Sequence, residues 1–215
     1  MRKFLPLFYF LTFILSANAQ DIQRKQLIAS RITSNIHIDG ILNEPEWADV
    51  AEATDFTQFQ FVYGKPSAYA TSIKVMYDNT AIYIGATMYD PHPDSIQKDL
   101  AARDEFGSAD FIGIIMDPYQ EGVNGIEFFV TASGVQAEAK TYPNSDNGED
   151  FTWDAVWVSA AKITEKGWIA ELKIPFSAIR FPNKDEQSWY INFVREVKRN
   201  RDKSAWNAID PQVQG

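Results

Sequence analysis

The sequence predicts an all-β fold, an antiparallel β-sandwich of jelly-roll type carrying one or two short helices. Three observations carry that prediction. Apolar residues alternate with a period of two in roughly ten short segments. Turn-forming residues separate these segments at near-regular spacing. Helical signals are confined to Glu44–Ala51, Ser95–Ala102 and a turn at Phe176–Ile179.

The chain opens on the basic pair Arg2-Lys3, an apolar run from Phe4 to Ser16, and the small-residue exit Ala17-Asn18-Ala19. That is the layout of a secretory signal cleaved after Ala19. The run falls short of the roughly 20 residues that a membrane-spanning helix needs. Residues 20–26 are polar and read as a flexible leader, which leaves 27–215 as one domain with length enough to bury a core.

Ile36 and Ile38 flank His37 in strand alternation, and Asp39-Gly40 supplies a turn with positive φ. Asn43 stands as the N-cap ahead of Pro45, with Trp47 where an amphipathic turn buries a large side chain. Phe59, Phe61 and Tyr63 alternate before Gly64 and Pro66. Tyr69, Thr71, Ile73, Val75 and Tyr77 mark one face of the next strand, and Asp78-Asn79-Thr80 turns it into Ala81–Tyr89 as a hairpin. Further strands are expected at Asp110–Met116, Glu127–Ala132, Val135–Thr141, Ala155–Lys162, Trp168–Ile174 and Trp189–Lys198. Asn144–Asp150 reads as a polar loop.

The formal net charge is -9, and it falls further once Arg2 and Lys3 are removed. Such a chain repels nucleic acid and anionic lipid, so neutral partners fit better. There is no cysteine, hence neither disulfide nor thiol chemistry. No G-x-S-x-G elbow, H-E-x-x-H helix or phosphate-binding glycine loop occurs. Hydrolysis of O-glycosyl bonds needs only two suitably spaced carboxylates, but no pair stands out among the 29 acidic residues. A glycoside hydrolase is therefore the third-ranked reading.

The stretch Ile36–Trp47 resembles the opening of family 9 carbohydrate-binding modules, β-sandwich domains attached to secreted glycan-degrading proteins. Val75-Met76-Tyr77-Asp78-Asn79 with Ala81-Ile82-Tyr83-Ile84, the Asp-led strand Ala109–Asp117, and Gly167-Trp168-Ile169-Ala170-Glu171-Leu172-Lys173-Ile174-Pro175-Phe176 are similar to later family segments in the same order. The resemblance spans Ile36 to about Trp206. Trp153-Asp154-Ala155-Val156-Trp157 and Ile174–Phe181 resemble a subgroup found at the N-terminus of bacterial exported proteins, ahead of a region like an outer-membrane barrel.

This resemblance implies an exported, noncatalytic domain that binds a poly- or oligosaccharide in the periplasm, at the outer-membrane surface or outside the cell. The rival reading is a structural domain that docks on an outer-membrane barrel region of a longer parent chain and binds no sugar. In the family, two tryptophans sandwich a terminal sugar. The first falls at Gly107, beside Phe106, and a family Glu is replaced by Gly113. Trp206 is nearest to the second.

A sugar presents an apolar C–H face edged with hydroxyls, so a binder needs an exposed aromatic plane with a polar rim. The candidates are Trp206 as platform, Phe106 or Trp153 opposite it, and Arg103, Asp104 and Asp110 as hydrogen-bonding groups. The blander alternative makes Arg103 and Asp104 surface ion-pair residues and Trp206 a cover for the sheet end. Trp47, Trp157, Trp168 and Trp189 read as core. No cofactor is expected. Asp146, Glu149 and Asp150 form an oxygen-rich loop that suits Ca2+ as a structural ion, although their spacing is not that of an EF-hand.

Overall fold

Alternation in Thr71–Tyr77 and Ala81–Tyr89 becomes a hairpin because one face of each strand is buried between two layers and the turn at Asp78 closes tightly. The computed structural model describes residues 24–142 and 148–209. In chain order the strands are β1 (Ser30–Arg31), β2 (Glu52–Ala53), β3 (Thr57–Gln58), β4 (Thr71–Tyr77), β5 (Ala81–Tyr89), β6 (Phe111–Asp117) and β7 (Gly125–Thr131). They continue with β8 (Gln136–Thr141), β9 (Glu149–Asp150), β10 (Val158–Thr164), β11 (Gly167–Pro175), β12 (Tyr190–Val197) and β13 (Asp202–Ala205). The first sheet runs β1-β4-β5-β11-β10, with β2 also pairing β4. The second runs β3-β13-β12-β6-β7-β8-β9. Every pairing is antiparallel except that of β1 with β4. The chain is thus the β-sandwich its alternation predicts.

The core lies between the sheets. Ile73, Ile84, Met88, Trp168 and Leu172 of the first sheet meet Ile112, Ile114, Met116, Phe128 and Phe193 of the second. A clasp of one charged side chain joins the layers. Arg195 of β12, 1% exposed, donates to the Ala70 carbonyl at 2.9 Å, Thr71 Oγ1 at 3.0 Å and the Tyr89 carbonyl at 3.0 Å. Burial pushes its guanidinium down to about 10, against the pull of Asp110, Asp90 and Asp202.

The outer side of the first sheet is closed. Ile32, Ile36, Trp47 and Val50 pack on Met76, Ala81 and Tyr83 as a second small core. Trp47 fits because β5 offers Gly85 beneath it, where an added Cβ would lie 3.0 Å from the indole. The Asp39-Gly40 turn is held from below by Glu171 of β11, whose Oε2 accepts the N–H groups of Asp39, Gly40 and Ile41.

Several sequence expectations are corrected. Ile36–Ile38 forms no strand; Ile36 is buried as part of the cover rather than in a ladder. The helix expected at Glu44–Ala51 is one 3-10 turn, Pro45–Trp47, with Glu44 at the cap and no side-chain cap bond. Asn43 does not cap it. Ser95–Ala102 is not helical. A 3-10 turn at Pro93–Ser95 ends in extended backbone at Ile96, and the Gln97 carbonyl is taken by the Asp110 N–H at 2.8 Å. Phe59–Tyr63 is a loop, not a strand, and Phe61 sits there at φ 64°. Of the flexible leader, residues 24–26 are described and Lys25 is tied down: its N–H donates to Asn207 Oδ1 at 2.7 Å and its ammonium to the Asp55 carbonyl at 2.6 Å.

Candidate functional site

Strand register places a row of side chains on the outer side of the second sheet. Phe111, Gly113 and Ile115 of β6 face Thr131, Phe129 and Glu127 of β7. Ala137 and Ala139 continue the rows on β8, and Glu196, Val194 and Asn192 on β12. A third small core lies here: buried Phe129, Ala137, Val194 and Ala205 carry partly buried Phe59, Phe106, Phe111, Ile115, Phe151 and Ile209 above them.

Four phenyl rings meet at this place. Phe106 lies 4.8 Å from Phe111, 5.1 Å from Phe129 and 5.9 Å from Phe151, centroid to centroid. Edge-to-face contacts of this kind lock ring orientation. Gly113 lets Phe129 lie flat on the strand, since a Cβ there would sit 2.5 Å from its ring. Phe106, Phe111 and Phe151 remain partly open to solvent.

Charged groups edge the rings. Glu196 is held between Lys198 Nζ at 3.2 Å and Lys203 Nζ at 3.5 Å, and Lys198 stands over the Phe111 ring at 5.5 Å. Glu127 lies on the same face, 4% exposed, with Oε2 lacking any hydrogen-bond partner. Lost hydration, and then the charge of Glu149, pushes its carboxyl up to about 8. Glu149 of β9 is exposed at the edge, and its carboxyl is raised too, by lost hydration, with the Lys203 charge opposing. An apolar floor with acid groups beside it can take a ring by stacking and hold its polar edge.

The six expected binding residues do not gather here; only Phe106 does. Trp206, expected as an uncovered platform, is 4% exposed and packs in the core 5.5 Å from Phe193, because its N–H continues the β12 ladder and turns the indole inward. Asp110 is fully buried, accepting the Lys198 N–H at 2.9 Å beneath the Arg195 clasp, so it is no rim residue. Burial raises its carboxyl, against that N–H and the charges of Arg195 and Arg199. Arg103 turns to the sandwich mouth. It pairs with buried Glu138 and donates to Gln136 Oε1 at 2.8 Å and the Ala155 carbonyl at 3.1 Å. Asp104 accepts the Glu138 N–H at 3.2 Å. Arg103 thus pairs with a buried carboxylate, and Asp104 holds a backbone N–H rather than a cation. Trp153 lies at that mouth, 6.0 Å from Phe128 with Lys140 Nζ 4.6 Å above its ring.

The oxygen-rich loop also separates. Asp146 lies outside the described residues. Glu149 and Asp150 are successive on a strand and leave on opposite faces. Asp150 accepts from the Thr152 N–H at 2.9 Å and from its hydroxyl at 2.6 Å. Among the described residues no three acids or histidines come together as a metal site.

Phe111, Phe129, Phe151 and Glu127 were not singled out by sequence reasoning. One signal could have found them. Phe111–Met116 is apolar at every position, so β6 must be buried on one face and apolar on the other as well.

Residues 38–210 match the family model described as carbohydrate family 9 binding domain-like. A search of curated proteins finds no match. Among solved structures the chain is similar to a family 9 carbohydrate-binding module from Caldicellulosiruptor kristjanssonii in complex with cellotriose. That likeness has TM-score 0.55 and 16% identity, over 84% of this chain and 82% of that one. The same family from that organism in complex with glucose gives TM-score 0.53 and 14% identity, over 84% of each chain. A putative carbohydrate-binding protein from Bacteroides uniformis gives TM-score 0.69 at 9% identity, over 87% of this chain and 91% of that one. At these identities the likeness speaks to the fold.

Proposed function

The chain belongs to the carbohydrate family 9 binding domain-like family, and we propose that it is a noncatalytic module that binds an oligo- or polysaccharide on the outer face of its second sheet. The observation that carries this reading is the set of partly open rings Phe106, Phe111 and Phe151 over buried Phe129, with Glu149 and Glu196 on the same face. A sugar ring would stack on Phe106 and Phe151, whose faces are partly open, while Glu149 and Glu196 accept from its hydroxyls. Similar folds crystallised with cellotriose and glucose support glucans as the first ligands to try. The reading extends to export by the signal that Arg2 to Ala19 resembles, and to a role as an appendage of a glycan-degrading or outer-membrane protein, which the likeness of Trp153–Trp157 and Ile174–Phe181 to the exported subgroup supports.

Calorimetric titration of the domain from residue 20 with cello-oligosaccharides tests the reading. Phe106→Ala or Phe151→Ala is expected to weaken binding about tenfold or more, as loss of a stacking ring does. Unchanged affinity in both variants, with the fold intact, would remove the face as the binding site.

One observation favours a docking domain instead. The Phe61-Val62-Tyr63 loop exposes 73%, 49% and 48% of its residues' surfaces. An apolar tip of that kind suits contact with another protein surface. If Phe61→Ser and Tyr63→Ser abolish association with the barrel region and no glycan binds, this second reading replaces the first.

A further inference from the structure

The first sheet ends in an edge that the rest of the fold leaves unpaired. Every other strand at a sheet margin, β1, β2, β3 or β9, is two residues long. Where β8 runs on past β9, the loop before β6 closes its margin instead. The Asp104 N–H donates to the Gln136 carbonyl at 3.1 Å, and Asp104 Oδ1 accepts the Glu138 N–H at 3.2 Å. β10 has no such closure. Its seven residues pair with β11 alone, in unbroken register from Val158 to Thr164, and among the described residues no other backbone group bonds to them. Exposed edges are ordinarily blunted by shortness, proline, a bulge or charge. β10 has neither proline nor bulge, and Lys162 is its one charged residue. Alternate N–H and C=O groups along it therefore point into open space, a template for one more strand.

We propose that a second copy of this chain supplies that strand, β10 pairing with β10 antiparallel about a two-fold axis at Ala161. The strand is complementary to itself in this register. Ala161 meets Ala161, Ala160 meets Lys162, Ser159 meets Ile163 and Val158 meets Thr164. Like charges directly opposite one another destabilise a strand pair, and here none meet. Ala161 and Ile163 pack on the main core and prolong it across the axis. Lys162 leaves on the outer side, where the Gly40 turn packs on its stem, so its charge lies above the sheet and not in the seam. Val158, 52% exposed, gains a neighbour in Thr164 of the second copy. Both copies offer the same patch, so the contact closes as a dimer and does not propagate. The outer face of the second sheet stays open in each copy, because β10 belongs to the first.

Sedimentation equilibrium of the purified chain tests the proposal, with dimers expected that dissociate on dilution. The chain contains no cysteine, so a single introduced thiol reports the register. Directly paired Cα atoms lie about 4.5–5.5 Å apart, within disulfide reach, whereas the two Val158 residues would lie about 20 Å apart. Ala161→Cys is therefore expected to form covalent dimers under mild oxidation, and Val158→Cys is not. Proline is also placed singly at Ala160 and at Ala161. Neighbouring N–H groups point to opposite sides of a strand, so one of the two prolines spares the β11 ladder, and far-ultraviolet circular dichroism identifies the folded variant. That variant is expected to be monomeric at concentrations where the parent is dimeric. A parent that stays monomeric up to about 1 mM overturns the proposal. So do equal cross-linking rates in the two cysteine variants, dimers that survive in the folded proline variant, or assemblies larger than a dimer.

Discussion

Glu171 and Gly40 are joined by a hydrogen bond of 2.8 Å across 131 residues of sequence, from the Gly40 N–H to Glu171 Oε2. The same oxygen also accepts the Asp39 and Ile41 N–H groups at 2.9 and 3.2 Å. Glu171 is fully buried, so its carboxylate substitutes for water around a turn that Gly40 makes at φ 82°. Two segments that look independent in sequence are one structural unit. Glu171→Ala leaves these buried N–H groups without an acceptor and is expected to destabilise the fold by about 2–4 kcal/mol in urea titration. Glu171→Gln, which keeps one carbonyl oxygen, should lose less.

Trp206 provides the sharpest separation between core and site. Its indole rests on Phe193 in the main core, so Trp206→Ala is expected to cost about 3–5 kcal/mol, read by chemical denaturation. Phe106→Ala, at a partly open ring, should cost less stability and more affinity. A Trp206→Ala domain that keeps its full stability would contradict the packing described for this end of the sheet.

Strand alternation made the hairpin Thr71–Tyr89 and the strands around Phe111, Gly125, Gly167 and Tyr190 legible in advance, because period-two burial is a local property of the chain. The cover of the first sheet was not legible. Ile36 and Ile38 alternate like a strand, yet the N–H groups that follow them, on His37 and Asp39, go to Glu44 and Glu171, partners fixed only by tertiary contact. The binding face was half legible for a related reason. A tryptophan draws attention as a sugar platform, but Trp206 is turned inward by its place in the ladder. The phenylalanines that do stand outward are spread over β6, β7, the loop before β6 and the residue after β9, and meet only through strand pairing. Nothing in the sequence marks Glu127 as unpaired, since that depends on which cations other strands bring near.

Glu127 sets a pH dependence whose sign follows from its raised carboxyl. The ordinary value is 4.5 and the folded value about 8, so the folded chain keeps a proton that the unfolded chain has released. Its contribution to stability is therefore full below pH 4.5, declines as pH rises through that window, and is lost above about 8. Glu127→Gln is expected to flatten this decline and to be more stable than the parent by roughly 1–3 kcal/mol at pH 8, after discounting for its own unpaired amide. Denaturant midpoints of both proteins from pH 5 to 9 check this; parallel curves would show that Glu127 releases its proton normally.

Arg195 is expected to be the most costly charged residue to remove. Its guanidinium satisfies carbonyls at the ends of two first-sheet strands and offsets buried Asp110. Arg195→Ala leaves both sets of partners buried and unpaired, a loss of about 3–5 kcal/mol. The double variant Arg195→Met with Asp110→Leu should lose less than the two single changes together, because buried Asp110 is no longer left without its cation. Equilibrium unfolding of the full cycle measures that coupling.

Gly113 separates the shape of the binding face from its chemistry. An alanine Cβ at this position would lie 2.5 Å from the Phe129 ring and 2.7 Å from Val194, so Phe129 must lift from the sheet and disturb Phe106 above it. Overpacking of this kind costs about 1–3 kcal/mol, and the ring displacement should weaken sugar binding as well. Gly122→Ala serves as the comparison. It has nothing within 4 Å and is strained only by its φ of 67°, so it should lose about 1 kcal/mol of stability and no affinity. Paired thermal melts and calorimetric titrations of the two variants check this, and equal affinity losses in both would show that the Phe129 position does not shape the site.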